Sequence, residues 1–234
     1  MNDLSVFPIT KRWPAQHPDR IQLYSVPTPN GVKVAVMLEE VELPYEPHLV
    51  SFGNDDQNTL EFLSLSPNNK IPAIIDPDGP GGKALPLFES GAILLYLAEK
   101  TGKLIPTDPA GRMECIQWLM FQMGGIGPMF GQFGHFFKFA ADKTSDTYAL
   151  DRYAAETQRL MRVLVGRLDG RDYIMGDQYT IADVATFPWV RVLGGFYEGS
   201  DKLVLSNYPN VMAHVDRCEA RPAVAKGLVT PARD

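Results

Sequence analysis

Ile21-Gln22-Leu23-Tyr24-Ser25-Val26-Pro27-Thr28-Pro29-Asn30-Gly31 alternates apolar and polar residues in a β-prone composition and then halts at a cluster of turn formers. It reads as a strand over 21–26 and a turn over 27–31. Next, Val32, Ala35, Val36 and Leu38 fall at helical spacing over 32–40, and Asn30 stands where a helix N-cap is expected. Residues 43–52 read as a second strand whose prolines suit a sheet edge. The chain therefore opens as βαβ.

Working onward, an acidic loop at 53–57 leads to a short helix over 59–65 that ends before Pro67. Residues 71–75 and 85–88 read as two strands joined by the Pro/Gly-rich connection 76–82. Glu89-Ser90-Gly91 opens a helix over 92–101, and Gly102 occupies a C′-type position. From residue 111 the pattern is helical nearly throughout. It runs over 111–123, through a broken aromatic-rich stretch to 141, and then over 148–168, where Tyr153, Thr157, Leu160, Leu164 and Leu168 form one stripe. Thr180-Ile181-Ala182-Asp183 has the shape of a capping box, flanked by Tyr179 and Val184 as a hydrophobic staple. Two last helices are expected over 211–220 and 224–228.

The composition shifts at the same place as the pattern. Residues 1–100 carry 7 Lys/Arg against 13 Asp/Glu, residues 101–234 carry 15 of each, and 14 of the 19 prolines precede residue 110. The expected organisation is a polar N-terminal extension (1–20), an α/β domain (21–102), a linker (103–109) and an all-α domain (110–234).

With 234 residues, 45% of them apolar and 21% charged, the composition is that of a soluble globular protein. No apolar run approaches the roughly 18 residues of a membrane span. A net charge of −6 offers no broad basic field, so neither nucleic acid nor membrane is an expected partner. Cys115 and Cys218 are too few and too far apart for a CxxC pair or a zinc site, so no metal is expected. Residues 1–20 contain no apolar stretch resembling a signal peptide, and a cytoplasmic location follows as the expectation.

Four segments carry a resemblance: Ser66-Pro67-Asn68-Asn69-Lys70-Ile71-Pro72-Ala73, Phe88-Glu89-Ser90-Gly91-Ala92-Ile93-Leu94, Tyr179-Thr180-Ile181-Ala182-Asp183 and Arg221-Pro222-Ala223. In these and in its order of elements the chain resembles the glutathione transferases along nearly its whole length. That resemblance implies a thioredoxin-like N-terminal domain followed by an all-helical C-terminal domain. Thr28-Pro29-Asn30-Gly31, Asp56-Gln57, the Gly-Gly-x-Gly-Pro-Met of 124–129 and Asp151-Arg152-Tyr153 are similar to the nu-class bacterial branch, the glutathione-dependent disulfide-bond oxidoreductases.

The resemblance implies glutathione-binding roles for Asn30, Gln57, Lys70, Ile71, Glu89, Ser90 and Arg152. The bond before Pro72 would be cis, exposing the Ile71 backbone to pair with the cysteinyl unit of glutathione. Glu89 and Ser90 would meet its γ-glutamyl end at a helix N-terminus, and Lys70 its glycine carboxylate. Thr28 and Asn30 are the candidate catalytic groups, stabilising the glutathione thiolate by hydrogen bonds. Tyr24 and Ser25 are the competing hydroxyls, with Tyr24 better placed for the core. Gln132, Phe133, His135 and Phe136 belong to an aromatic run that either packs the helical domain or lines a second-substrate pocket.

The implied activity is reduction of small or mixed disulfides through one or two bound glutathione molecules, without a protein redox cysteine. Conjugation of electrophiles, ether cleavage or peroxide reduction, and a non-catalytic glutathione-binding role are the alternatives. Family members are homodimers, so a homodimer is expected, with the N-terminal extension lying across the partner subunit.

Overall fold

A computed structural model describes residues 3–232. The chain forms two compact units, one running to Lys103 and taking back the segment from Pro222 onward, the other covering Leu104 to Arg221.

The first unit is built on a four-stranded sheet of order β2-β1-β3-β4, with β1 Ile21–Ser25, β2 Tyr45–Leu49, β3 Ala73–Asp76 and β4 Leu85–Phe88. β1 is parallel to β2 and antiparallel to β3, which is antiparallel to β4. Edge strand β2 accommodates Pro47, which cannot donate to a ladder. Three helices complete the unit's frame: α1 Pro29–Val41, the single turn α2 Leu60–Leu63, and α3 Ser90–Thr101, which ends on Gly102 in the left-handed region (φ 67°). The Ile71–Pro72 bond is cis.

α1 begins earlier than its apolar spacing predicts, and its cap is Thr28 rather than Asn30. Thr28 Oγ1 accepts from the Gly31 N–H at 3.4 Å, and Pro29 takes the first helical position, where its fixed φ fits and its missing N–H costs nothing. Asn30 therefore sits inside the first turn. The polar residues of β1 do not mark a solvent face either. All five positions are buried, and Gln22 is satisfied by donating to the His17 and Arg20 carbonyls at 3.0 and 2.9 Å, while its Oε1 lies 2.8 Å from His48 Nε2.

What covers that face is the N-terminal segment. Leu4 and Ile9, on two short 3₁₀ turns, join Tyr24, Phe62, Ala73 and Ile75 in one buried cluster, with Trp13 packed edge-on to Tyr24. Trp13 Nε1 donates to the Leu49 carbonyl at 3.0 Å, and the Gln16 and His17 N–H groups donate to the Glu46 carboxylate at 2.9 and 2.7 Å. The stretch expected to be a polar extension is thus an apolar cover laid on its own unit. Residues 1 and 2 of that extension lie outside the described residues.

The unit is closed by α10, Pro222–Gly227, which packs on α1. A Cβ at Gly227 would come within 2.6 Å of the Val36 N and Cα atoms, so only glycine permits this approach. The C-terminal segment expected in the helical domain consequently belongs with the sheet.

The second unit is helical: α4 Pro109–Phe121, α5 Gly127–Gly134, α6 Tyr148–Arg167, α7 Ile181–Gly194, the single turn α8 Ser200–Leu203, and α9 Pro209–Glu219. Wide π-helical turns at Gln122–Ile126 and His135–Phe139 account for the broken pattern on either side of α5. The α6 stripe faces inward: Thr157, Leu160 and Leu164 are buried, and the helix packs on α5, whose Phe130 and Phe133 are also fully buried. The capping box at Thr180 forms as read. No helix among the described residues is long and apolar enough to cross a membrane.

Candidate functional site

The β1–α1 turn, the loop after β2 and the segment before β3 converge on a cavity of about 440 Å³ lined by Thr28, Asn30, Phe52, Gln57, Asn69, Lys70 and Ile71. The tight path of the first of these is set by Gly31, where a Cβ would lie 2.0 Å from the Val26 carbonyl oxygen and 2.6 Å from Ser25 Oγ. Thr28 uses its oxygen as an acceptor for the helix cap, which leaves its O–H free in chemistry to donate. Ser25 is fully buried and Tyr24 is a core residue, so neither competing hydroxyl lines the cavity.

The far wall is a hydrogen-bonded lattice. Asp55, at φ 56°, accepts from Gln57 Nε2 at 2.9 Å and from Asn58 Nδ2 at 2.6 Å, and Asn58 Oδ1 in turn accepts from Asn69 Nδ2. Gln57 Oε1 is buried without a partner, an orphaned acceptor on a cavity wall. It fits a ligand that brings a donor. Behind this loop, the buried Asp56 carboxylate accepts from the Ser51 N–H at 2.8 Å and pairs with the Arg12 guanidinium. Arg12 and Asp56 join the N-terminal cover to the wall that carries Gln57.

Glu89 and Ser90 start α3. Glu89 is exposed and held at φ 72°, ψ 109°, a conformation uncommon for any residue but glycine, while Ser90 is buried. The two helix starts are linked by Lys33, whose side chain is fully buried. Its Nζ donates to Asn30 Oδ1 at 2.9 Å and to Ser90 Oγ at 3.4 Å. Burial pushes the Lys33 ammonium down to about 7, against the upward pull of the Glu89 carboxylate. Lys33 was not among the residues expected here. The available signal was a lysine set among Val32, Val34, Ala35 and Val36 in a helix with no other polar residue until Glu39, one turn after a polar Asn30.

The remaining expected residues lie in the second unit. Arg152 is exposed and lines a separate cavity of about 970 Å³ with Met129, Asp151, Tyr153, Glu156 and Arg159 among its walls. Gln132 and His135 are exposed, and Phe136 stacks on Tyr153 with ring centroids 5.6 Å apart. Phe133 is fully buried, stacked on Phe137 at 5.1 Å, so it packs the core and is not a pocket wall. Both cysteines are buried in this unit, and burial pushes the Cys115 thiol up.

Both halves of the chain match known domain families. Residues 20–99 match the glutathione S-transferase N-terminal domain and residues 126–222 the glutathione S-transferase C-terminal domain. The chain is 47% identical to the disulfide-bond oxidoreductase YfcG of Escherichia coli over 89% of its length and 94% of that protein's. It is 40% identical to the disulfide-bond oxidoreductase YghU of the same organism, over 92% and 75% respectively. Among solved structures, a glutathione transferase from Burkholderia graminis with two glutathione molecules bound per subunit superposes with a TM-score of 0.99 at 65% identity, covering 100% of this chain and 98% of that one. A glutathione transferase from Pseudomonas putida, with one glutathione disulfide bound per subunit, gives 0.96 at 57% identity, covering 98% and 100%. With a thioredoxin-like sheet whose first helix starts on Thr28, a helical second unit, and both domain families matched in order, the chain belongs to the glutathione S-transferase family.

Proposed function

We propose that this chain is a glutathione-dependent disulfide-bond reductase that works through bound glutathione thiolates on small or mixed disulfides. The observation that carries the reading is the start of α1, where Thr28 and Asn30 bring a hydroxyl and an amide to the cavity while both cysteines of the chain lie buried in the other unit. The relatives named disulfide-bond oxidoreductases support it, as do the solved relatives holding two glutathiones or one glutathione disulfide per subunit.

Glutathione is a substrate of this exchange. Two glutathiones and one disulfide give oxidised glutathione and two thiols, each step breaking one S–S bond and forming another, with the departing thiolates taking up the protons the glutathiones released. A free thiol with a pKa of about 8.5 is only a few per cent ionised at neutral pH. Thr28 and Asn30 supply hydrogen-bond donors to the anion, and the N-terminus of α1 favours its charge. Ile71 presents backbone to the cysteinyl unit, Lys70 meets the glycine carboxylate, Gln57 offers its orphaned acceptor, and Glu89 with Ser90 receives the γ-glutamyl end. A role for Arg152 toward glutathione rests on the sequence resemblance. The working form is a homodimer in the reducing cytoplasm, where both cysteines stay reduced.

Glutathione-dependent reduction of 2-hydroxyethyl disulfide, coupled to glutathione reductase, tests this directly when 1-chloro-2,4-dinitrobenzene conjugation is run on the same preparation. Strong reduction with feeble conjugation is the expected result. Conjugation exceeding reduction identifies a detoxifying transferase, and inactivity in both identifies a binding protein.

The clamp behind the cavity yields a separate expectation. Arg12→Ala leaves Asp56 buried with its ion-pair partner gone, loosening the loop that carries Gln57, and should raise KM for glutathione by roughly 3- to 10-fold while kcat changes little, corresponding to about 1 kcal/mol of lost positioning. A KM equal to the wild-type value would show that the N-terminal cover does not act on the site.

A further inference from the structure

An exposed apolar side chain is ordinary by itself, and Phe52 is informative because of where it is held. The residue is 51% exposed and lines the same cavity as Thr28, Asn30, Gln57, Lys70 and Ile71. The loop that presents it is closed on itself. Ser51 N–H donates to the Asp56 carboxylate at 2.8 Å, Asp56 N–H returns a bond to the Ser51 carbonyl at 3.1 Å, and Asp55 N–H donates to the Phe52 carbonyl at 3.2 Å. The entry to the loop is anchored where β1 ends, by Val50 N–H donating to the Ser25 carbonyl at 2.9 Å, just before the turn that carries Thr28. A fixed frame therefore holds a half-exposed ring at the mouth of the cavity.

The walls can be matched to the two reactants group by group. Glutathione brings a thiol, carboxylates, an ammonium and peptide amides, and its carbon skeleton offers nothing larger than methylene groups. The hydroxyl of Thr28, the amides of Asn30 and Gln57, the ammonium of Lys70 and the backbone of Ile71 answer that chemistry. No group of glutathione calls for a phenyl ring. The other reactant is the disulfide, which must reach the bound sulfur through the mouth of the cavity and whose substituents are the part of the reaction still without a matching wall.

We propose that Phe52 is a specificity-determining residue for the disulfide: its ring is the apolar contact for the substituent beside the attacked S–S bond, so the preferred substrates are disulfides carrying an aromatic or branched apolar group there. The proposal rests on the functional reading above, in which the glutathione sulfur sits at Thr28 and Asn30. The ring touches the substituent and takes no part in the exchange. In that step the glutathione thiolate bonds to one sulfur of the disulfide while the S–S bond breaks and the other sulfur leaves as a thiolate, which takes up a proton. Ring and apolar substituent remove surface from water when they meet, a gain that a hydroxyethyl or charged substituent does not bring.

The experiment measures kcat/KM for glutathione-dependent reduction of benzyl 2-hydroxyethyl disulfide, 2-hydroxyethyl disulfide and cystamine by wild type, Phe52→Ala, Phe52→Leu and Phe52→Glu. Each variant is compared with wild type on the same disulfide, which cancels the intrinsic reactivity of the S–S bond. Phe52→Ala should lose about 5- to 10-fold more on the benzyl disulfide than on 2-hydroxyethyl disulfide, the size expected for uncovering part of one ring. Phe52→Leu, which keeps an apolar side chain, should recover most of that difference. Phe52→Glu should shift the preference toward cystamine, whose ammonium groups a carboxylate attracts, a change that a ring serving only to hold the loop would not produce. Equal losses on all three disulfides overturn the assignment while leaving the functional reading in place, and so does a loss confined to KM for glutathione. A wild-type protein that binds glutathione but reduces none of the three overturns the functional reading, and the assignment with it.

Discussion

Asn30→Ala should lower kcat/KM for glutathione-dependent reduction of 2-hydroxyethyl disulfide by roughly 10- to 100-fold, since a hydrogen bond to a charged acceptor contributes about 1.5 to 3 kcal/mol. The effect should concentrate in the ionisation of the thiol. Removing a donor to the thiolate raises the thiol pKa, so the acidic limb of the pH–rate profile moves to higher pH and the deficit shrinks as pH rises through the new value. Thr28→Ala should act in the same direction and also lose the cap on α1, at about 1 kcal/mol of stability. Thr28→Ser restores both, because serine keeps an oxygen for Gly31 N–H and a hydroxyl for sulfur. An Asn30→Ala enzyme within twofold of wild type across the pH range would remove the amide from the scheme.

The largest stability effect is expected in the helical unit, at Asp183. This carboxylate is fully buried at the head of α7 and accepts four hydrogen bonds: from the Ile174 N–H at 2.8 Å, the Thr180 N–H at 2.8 Å, Thr180 Oγ1 at 3.1 Å and His214 Nε2 at 2.9 Å. It ties the entry to α7 to the preceding loop and to α9 at once. Asp183→Ala strands those donors in a site that water does not reach, at a cost of about 3 to 5 kcal/mol. For a chain of this size that is a fall in Tm of roughly 10 °C or more, read by thermal circular dichroism. Asp183→Asn keeps the shape but turns one acceptor into a donor facing donors, so it should lie between the two. A Tm within about 2 °C of wild type for the Ala variant would mean that the network holds α7 only weakly.

How far the sequence can be read depends on the range of the interaction. The capping box at Thr180–Asp183 was legible because both of its bonds span three residues, but the reach of Asp183 to His214 was not, since no local pattern records a partner 31 positions away. The strand, read over 21–26 and observed over 21–25, and the helix ending on Gly102 followed from alternation and capping chemistry, whereas the turn read over 27–31 is helical from Pro29 onward. The cap on α1 was misplaced by two residues because Thr28 and Asn30 are both good capping residues, and Pro29 at the first helical position decides between them.

Segments read from their ends rather than their contacts came out differently. Leu4, Ile9 and Trp13 are spread among prolines and charges with no period, yet they cover one face of the sheet. Gly227 gives no sign in the sequence that its missing Cβ meets Val36, nearly the whole chain away. Phe133 and Phe136 have the same composition in the same run, and only packing sends the first to the core and stacks the second on Tyr153.

For the site, the resemblance carried by contiguous segments pointed to the family, while turn formers and a Ser at a helix start marked the segment of Thr28 and Asn30 and the opening at Glu89-Ser90, because each of these is written in neighbouring residues. The tertiary structure was needed to show that Lys33 spans two helix starts, that Arg12 backs the Gln57 wall through Asp56, and that Gln57 holds an acceptor with no partner. Those depend on which side chains meet after the chain has folded, and a lysine, an arginine or a glutamine looks the same in sequence whether it faces water or closes a network in the interior.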